Sequence, residues 1–134
     1  MFFLGQSQPG RGFGKLGLAV VMAGAVLLAQ AKETPQAGQE TVALSQLPAE
    51  ARATERLIRA GGPFPYSKDG TTFGNRERLL PKEPRGYYRE YTVKTPGMSG
   101  RGARRLVCGG RQPTAPDACF YTSDHYASFK RVVQ

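Results

Sequence analysis

Three kinds of charged side chain stand close together near the end of this 134-residue chain. Glu90 lies in a Tyr-Tyr-Arg-Glu-Tyr string and His125, the single histidine, lies in Asp-His-Tyr; between them stand Arg101, Arg104 and Arg105. A carboxylate can take a proton from a ribose hydroxyl, an imidazolium can protonate a departing oxygen, and guanidinium groups can hold the phosphate. The combination predicts cleavage of an RNA phosphodiester.

The same inventory disfavours metal chemistry. The chain has one histidine and two cysteines, which cannot assemble a usual zinc site. A carboxylate and an imidazole that act as base and acid need no further group to move protons. We therefore expect a metal-independent reaction with no cofactor.

Residues 1–31 have the pattern of a secretory signal peptide. Basic Arg11 and Lys15 precede an apolar run over residues 16–28, and Ala29-Gln30-Ala31 fits an A-x-A cleavage site. The run is shorter than the roughly 20 apolar residues of a membrane span, so cleavage is favoured over an uncleaved membrane anchor. We expect a secreted protein, extracellular or periplasmic, without stable membrane association after cleavage.

The remainder of the chain reads as one small basic domain. Residues 32–43 lack apolar periodicity and are expected to form a flexible lead, which leaves residues 44–134 as the domain. The whole chain carries 19 Lys and Arg against 10 Asp and Glu, a net charge of +9. Such a charge indicates an anionic partner, either nucleic acid or an acidic surface.

The periodicity predicts one helix followed by several strands. Pro48 suits a first helical turn and Gly61-Gly62 ends the pattern, whose apolar and small positions are Leu47, Ala51, Thr54, Leu57 and Ile58. Short β-rich runs separated by turn residues follow at 71–73, 87–95, 104–108, 120–122 and 127–133. This order is typical of an α+β domain in which one N-terminal helix packs on a small antiparallel sheet.

Strand alternation separates the charged residues by face. Glu90 shares a face with Tyr88 and Thr92 in the predicted strand, on the solvent or ligand side. In the next strand the adjacent Arg104 and Arg105 must point to opposite sides of the sheet. Only one of these two arginines can therefore join Glu90 directly.

Cys108 and Cys119 flank a loop between two predicted strands. In an oxidising compartment they are expected to form a disulfide that staples a hairpin. They are the chain's only cysteines.

Six ordered motifs closely resemble the bacterial guanyl-specific ribonucleases of the RNase Sa type, related to barnase within the microbial ribonucleases. They are Gly62-Pro63-Phe64-Pro65-Tyr66-Ser67, Asn75-Arg76-Glu77, Gly86-Tyr87-Tyr88-Arg89-Glu90-Tyr91-Thr92-Val93, Thr95-Pro96-Gly97, Arg101-Gly102-Ala103-Arg104-Arg105 and Asp124-His125-Tyr126-Ala127. The match extends from about residue 44 to residue 129. The resemblance implies the microbial ribonuclease fold and an endoribonuclease that cleaves single-stranded RNA after guanosine, through a 2′,3′-cyclic phosphate that is then hydrolysed to a 3′-phosphate.

The resemblance also implies roles for individual residues. Glu90 matches the family's general base, His125 its general acid, and Arg101 and Arg105 its phosphate-binding arginines. Arg104 is interpreted as part of a solvated basic face.

Guanine recognition is implied for a second group of residues: Phe73, Asn75, Arg76, Glu77 and Tyr126. Glu77 would accept hydrogen bonds from guanine N1-H and N2-H, and backbone N-H groups near Asn75 and Arg76 would meet O6. Phe73 and Tyr126 would sandwich or edge the base. Gly74 stands where RNase Sa has a polar side chain, which removes a possible side-chain contact and loosens the loop.

Simpler interpretations stay open. Glu90 and His125 can be ordinary surface residues, and Glu77 can pair with Arg76 or Arg78. The chain can be a non-catalytic basic RNA-binding module if Glu90 and His125 lie far apart. It can also be a secreted ribonuclease toxin paired with an inhibitor of the barstar kind, and we expect a monomer in either enzyme case.

Overall fold

The computed structural model describes Gly10, Gly12, Gly14 and residues 39–134. The predicted signal peptide, residues 1–31, therefore lies outside the described residues except for those three glycines, as does the segment 32–38 of the predicted lead. In the part of the chain that is described, no helix is long and apolar enough to cross a membrane.

Residues 39–134 form one α-helix, one short 3-10 helix and six strands. The elements are β1 (Thr41–Ala43), a 3-10 helix (Leu44–Gln46), α1 (Ala49–Ala60), β2 (Thr71–Thr72), β3 (Tyr88–Thr92), β4 (Arg105–Gly109), β5 (Ala118–Thr122) and β6 (Lys130–Val133). The sheet order is β1-β6-β5-β4-β3-β2, in which only the β1–β6 pair is parallel. The predicted α+β fold is confirmed.

The helix begins and ends where its sequence predicts. Pro48 occupies the N-cap position, directly before the first helical residue, and Gly61 ends the helix with a left-handed φ of 79° that glycine adopts without a Cβ clash. Ala51 and Ile58 are buried against the sheet. The hydroxyl of Thr54 donates to the carbonyl of Thr92 at 3.1 Å, which ties the helix to the end of β3.

The sheet has a different apolar cluster on each face. On the helix side, Tyr91, Leu106, Cys108 and Cys119 pack with the buried residues of α1. The opposite face carries the cluster Leu80, Tyr88, Val107 and Phe120. This second cluster supports the face from which Glu90 projects.

The register of β3 and β4 resolves which arginine joins Glu90. Glu90 is opposite Val107 and Thr92 is opposite Arg105, so Arg105 and Glu90 lie on the same face. Arg104 falls on the other side of the strand, as alternation predicts.

Cys108 and Cys119 form a disulfide between directly opposite residues of β4 and β5, with their Cα atoms 4.1 Å apart. The predicted staple is thus present. It lies on the helix face of the sheet, where both residues belong to the core.

The end of the predicted lead differs from expectation. Thr41–Ala43 form β1 and pair in parallel with Arg131–Val133 of β6. Val42 and Val132, which are opposite each other, pack on the helix-side core. Burial of this valine pair explains why residues with no visible periodicity join the sheet.

Candidate active site

A cavity of about 410 Å³ opens on the sheet face opposite the helix. Seven residues singled out from the sequence line it: Phe73, Asn75, Arg76, Glu77, Glu90, His125 and Tyr126. Thr72, Gly74, Leu79, Ala127 and Phe129 complete the lining. The structure therefore brings together the groups implied for acid–base chemistry and those implied for base recognition.

Glu90 lies in the middle of β3 with its side chain 15% exposed. Its Oε2 accepts a hydrogen bond from the Tyr126 hydroxyl at 2.9 Å. Its Oε1 lies 3.4 Å from Nη2 of Arg101. These two contacts fix the carboxylate while leaving lone pairs for a further donor.

Tyr126 stays a hydrogen-bond donor in this setting. Burial raises the pKa of its phenol, and the hydrogen bond to Glu90 and the charge of Glu90 raise it further, against an opposing effect of Arg105. The sequence assigned Tyr126 to the base alone. Its hydroxyl also contacts the carboxylate of Glu90.

Arg105 is held almost completely inside the protein, with 2% of its surface exposed. Its Nη1 lies within hydrogen-bonding distance of the backbone oxygens of Arg101, Gly102 and Arg104, at 3.4, 3.0 and 2.7 Å. Gly102 makes this turn possible, because its φ is +63° and a Cβ would lie 2.6 Å from the Thr95 hydroxyl. The backbone of the loop before β4 thus surrounds the guanidinium of Arg105.

The Nε of Arg105 is buried and has no hydrogen-bond partner within the described residues. A buried unpaired donor is costly, more so on a charged group. The guanidinium carbon lies 5.9 Å from the centre of the Tyr126 ring, which places the group beside the cavity. The positive charge of Arg105 therefore lies close to the cavity, where it favours an anionic group.

Arg101 lies at the edge of the same group. Its Nε donates to the Thr92 hydroxyl at 3.1 Å, and its Nη2 approaches Glu90. Arg101 and Arg105 do not line the cavity, but they contact two residues that do, Glu90 and Tyr126.

His125 is exposed in the loop between β5 and β6. Its backbone N-H donates to the carbonyl of Ala103 at 2.9 Å, which joins this loop to the arginine loop. Its ring centre lies 4.8 Å from that of Tyr126. The exposed imidazole lines the cavity and is accessible to a bound molecule.

The side chain of Asn75 forms hydrogen bonds within its own loop. Its Nδ2 donates to the carbonyl of Leu80 at 2.9 Å and its Oδ1 accepts from the N-H of Leu80 at 3.1 Å. The amide therefore braces its own loop, with Asn75 itself in a left-handed conformation of φ 50°. The expected hydrogen bonds from backbone N-H groups near Asn75 and Arg76 to a base do not require this amide.

The aromatic rings contact one another. The ring centres of Phe73 and Tyr126 are 5.1 Å apart with planes tilted by 30°, and Phe129 lies edge-on to Phe73 at 5.9 Å. A base sandwiched between Phe73 and Tyr126 does not fit this arrangement, because the two rings already touch. Contact along an edge or on an outer ring face remains possible.

Glu77 is exposed and faces the cavity. Within residues 39–134, the carboxylate of Glu77 takes part in no ion pair, so the expected alternative of pairing with Arg76 or Arg78 is not formed. The carboxylate is free to accept donors from a ligand.

Sequence reasoning missed several residues that shape the site. Phe129 lines the cavity and packs on Phe73, and its signal was only an aromatic four residues after His125. Thr122, Asp124 and Ser128 form a hydrogen-bonded group around the histidine loop, for which the Thr-x-Asp spacing was an available sign. Among the described residues no group of three or more His, Cys, Asp or Glu is placed to hold a metal.

Known proteins of one family are similar to this chain. The ribonuclease family model matches residues 30–133. Guanyl-specific ribonuclease Sa of Kitasatospora aureofaciens is 53% identical over 94 residues, covering 70% of this chain and 94% of that protein. Ribonuclease Sa3 of the same organism is 57% identical over 91 residues, 68% of this chain, and the match spans 62% of the length of Sa3.

Solved structures agree with the sequence comparison. Ribonuclease Sa2 in complexes with mononucleotides superposes with a TM-score of 0.67 at 42% identity, covering 75% of this chain and 98% of that one. Ribonuclease Sa2 with guanosine-2′-cyclophosphate gives a TM-score of 0.64 at 43% identity, covering 71% and 96%. By sequence and by fold, the chain belongs to the ribonuclease family.

Proposed function

We propose that this protein is an endoribonuclease that cleaves single-stranded RNA after guanosine, without a metal. The observation that carries the proposal is the buried Arg105, whose Nε lacks an acceptor beside a cavity lined by Glu90 and His125. The relatives support the specificity, since several are guanyl-specific ribonucleases and Sa2 has been solved with guanosine-2′-cyclophosphate.

The reaction proceeds in two steps. Glu90 accepts the proton of the 2′-hydroxyl, the 2′ oxygen attacks the adjacent phosphorus, and the bond from phosphorus to the 5′ oxygen breaks as His125 protonates that oxygen. The product is a 2′,3′-cyclic phosphate. In the second step His125 takes a proton from water and the water oxygen attacks phosphorus. The bond from phosphorus to the 2′ oxygen breaks as Glu90 returns a proton to that oxygen, which leaves a 3′-phosphate.

The phosphate is held by guanidinium groups. Negative charge grows on the non-bridging oxygens as the 2′ oxygen attacks, and the positive charge of the buried Arg105 beside the cavity stabilises it. Because Arg105 is already fixed by three backbone carbonyls, little reorganisation accompanies binding. Arg101, exposed to a greater extent, completes the positive side of the site.

Guanine recognition falls to the loop from Phe73 to Glu77. The Glu77 carboxylate accepts from N1-H and N2-H, and backbone N-H groups near Asn75 and Arg76 donate to O6, while the Asn75 amide keeps the loop in shape. Phe73 supports the base along a ring face or edge. Adenine has no pair of donors for Glu77 and is disfavoured.

The protein acts outside the cytoplasm as a monomer, after removal of residues 1–31. The disulfide and the signal-like N-terminal sequence support export. The basic charge suits an acidic inhibitor of the barstar kind, in which case the enzyme serves as a toxin towards competing cells.

Digestion of a defined single-stranded RNA in the presence of a chelator tests the proposal. We expect cuts after guanosine only, first with 2′,3′-cyclic ends and later with 3′-phosphate ends. Binding without cleavage would favour the RNA-binding module, an alternative that is already weakened because Glu90 and His125 line one cavity. Cleavage that stops on chelation would contradict the metal-independent mechanism.

A further inference from the structure

The loop that carries the histidine has an unusual backbone. His125 and Tyr126 are consecutive non-glycine residues with φ values of 54° and 72°, both in the left-handed region. A side chain with a Cβ disfavours this conformation, so two such residues in a row persist only when their surroundings hold them. Contacts with neighbouring residues must therefore hold this loop in its conformation.

Three side chains clamp the loop at its base; we call Thr122, Asp124 and Ser128 the loop clamp. The buried Thr122 hydroxyl donates to Oδ1 of Asp124 at 2.8 Å, and its oxygen accepts from the N-H groups of Asp124 at 3.3 Å and Tyr126 at 3.2 Å. The Asp124 carboxylate also accepts from the Ser128 N-H at 2.9 Å and the Ser128 hydroxyl at 2.6 Å. The hydrogen bonds of the loop clamp therefore join residues that precede His125 to residues that follow it.

The Asp-His sequence by itself suggests a different arrangement, with the aspartate hydrogen-bonded to the imidazole. Within the described residues, every hydrogen bond of the Asp124 side chain goes to Thr122 or Ser128, and none goes to His125. The Ser128 hydroxyl, followed by the Thr122 hydroxyl, lowers the pKa of Asp124 to about 2, so the carboxylate is ionised in neutral solution. Asp124 acts on the backbone that carries the imidazole.

We propose that Asp124 is a positioning residue, which holds His125 in the left-handed backbone conformation that directs the imidazole to the leaving oxygen. This inference rests on the proposed function. The hydrogen bond from the His125 N-H to Ala103 fixes the other side of the loop against the arginine loop. When a substitution removes the carboxylate oxygens of Asp124, the loop relaxes to ordinary backbone angles. The imidazole then moves away from the leaving oxygen.

Two substrates separate this role from a general loss of structure. In GpA the leaving oxygen is a ribose alkoxide and needs the proton from His125. In guanosine 3′-(4-nitrophenyl phosphate) the leaving group departs without protonation, although the attack by the 2′ oxygen and the need for Glu90 are unchanged. A displaced histidine slows cleavage of GpA far more than cleavage of the aryl ester.

For Asp124→Ala we expect kcat on GpA to fall by about 30-fold and kcat on the aryl ester by less than about threefold. Asp124→Asn keeps one acceptor oxygen and should recover part of the GpA rate. Ser128→Ala, a milder change at an exposed position, should cause a smaller loss in the same direction. Asp117→Ala is the matched control, an exposed loop aspartate outside the cavity, and should leave the ratio of the two rates unchanged.

Equal loss on both substrates in Ser128→Ala and Asp124→Ala would overturn the proposal, as would full GpA activity in Asp124→Ala. Near-ultraviolet circular dichroism identifies a variant that has simply unfolded, and Ser128→Ala then decides the matter. Wild-type protein that cleaves neither substrate would overturn the proposed function itself, a result distinct from any change in the ratio.

Discussion

At the level of single residues, contacts within the site determine the pKa and the hydrogen-bond partners of its side chains. Burial, followed by the hydrogen bond to Glu90, raises the pKa of the Tyr126 phenol. Arg105 has an Nε-H without a partner among the described residues, while its Nη1 lies within hydrogen-bonding distance of three backbone oxygens. Glu77 stands apart from these groups, as an exposed carboxylate without an ion pair among the described residues. We therefore expect recognition of the base and cleavage of the bond to be separable by mutation.

Glu77→Ala should reduce cleavage of GpA far more than cleavage of ApA. Two hydrogen bonds to a charged acceptor are worth about 3 kcal/mol, which is more than about a hundredfold in relative rate. Comparison of kcat/KM for both dinucleotides in wild-type and variant protein measures the ratio. Glu83→Ala, an exposed glutamate outside the cavity, serves as the control. Equal slowing of both substrates would remove Glu77 from base recognition.

The types and order of these residues were predictable from sequence, but several of their contacts were not. Strand alternation placed Glu90 and Thr92 on one face, and Arg104 and Arg105 on opposite faces, because the period of a strand is fixed. The register of β3 and β4 was needed to show that Arg105 shares the face of Glu90. The Asn75 amide that braces its loop, and the contact between Phe73 and Tyr126, depend on how loops fold over the sheet. No local pattern encodes that arrangement.

At the level of elements, the helix and the antiparallel strands follow from local patterns. The one strand that was missed, β1, has three residues and pairs in parallel with β6 at the far end of the chain. Such a pair is stabilised by tertiary contacts, chiefly those of Val42 and Val132, and leaves no periodic signal. The central hairpin of β4 and β5 is instead marked by its cysteines.

The double replacement Cys108→Ala and Cys119→Ala should lower the free energy of unfolding by about 3 kcal/mol. The two cysteines are 11 residues apart, and the bond restricts the unfolded chain by closing that loop. Urea unfolding of wild-type and variant protein measures the difference. Two titratable thiols in the denatured, unreduced wild type, or an unchanged unfolding midpoint, would contradict this account.

At the level of the whole molecule, net charge governs the response to salt, and the burial of tyrosines governs the response to high pH. The excess of basic residues, which is +9 for the whole chain and +7 without Arg11 and Lys15 of the predicted signal peptide, is expected to attract RNA, and salt weakens that attraction. Four tyrosines, Tyr88, Tyr91, Tyr121 and Tyr126, have pKa values raised above 10, chiefly by burial. The net charge and the raised tyrosine pKa values both arise from residues spread over the chain.

The folded domain should lose stability as pH rises above about 10. Unfolded tyrosines release their protons near that pH, whereas the folded ones keep theirs, so the unfolded state binds fewer protons and the unfolding free energy falls. Urea unfolding between neutral pH and pH 11 measures the slope. Tyr91→Phe should make the slope shallower, and a slope identical to that of the wild type would contradict the assignment for that residue.

The pH dependence of GpA transesterification tests the central claim, that Glu90 and His125 act as base and acid, most directly. The rate should follow a bell-shaped curve, since Glu90 must be ionised and His125 protonated. Glu90→Gln and His125→Gln should each slow the reaction by about a hundredfold or more, the first removing the acidic limb of the curve and the second the alkaline limb. Full activity in His125→Gln, or an unchanged curve in either variant, would contradict the account.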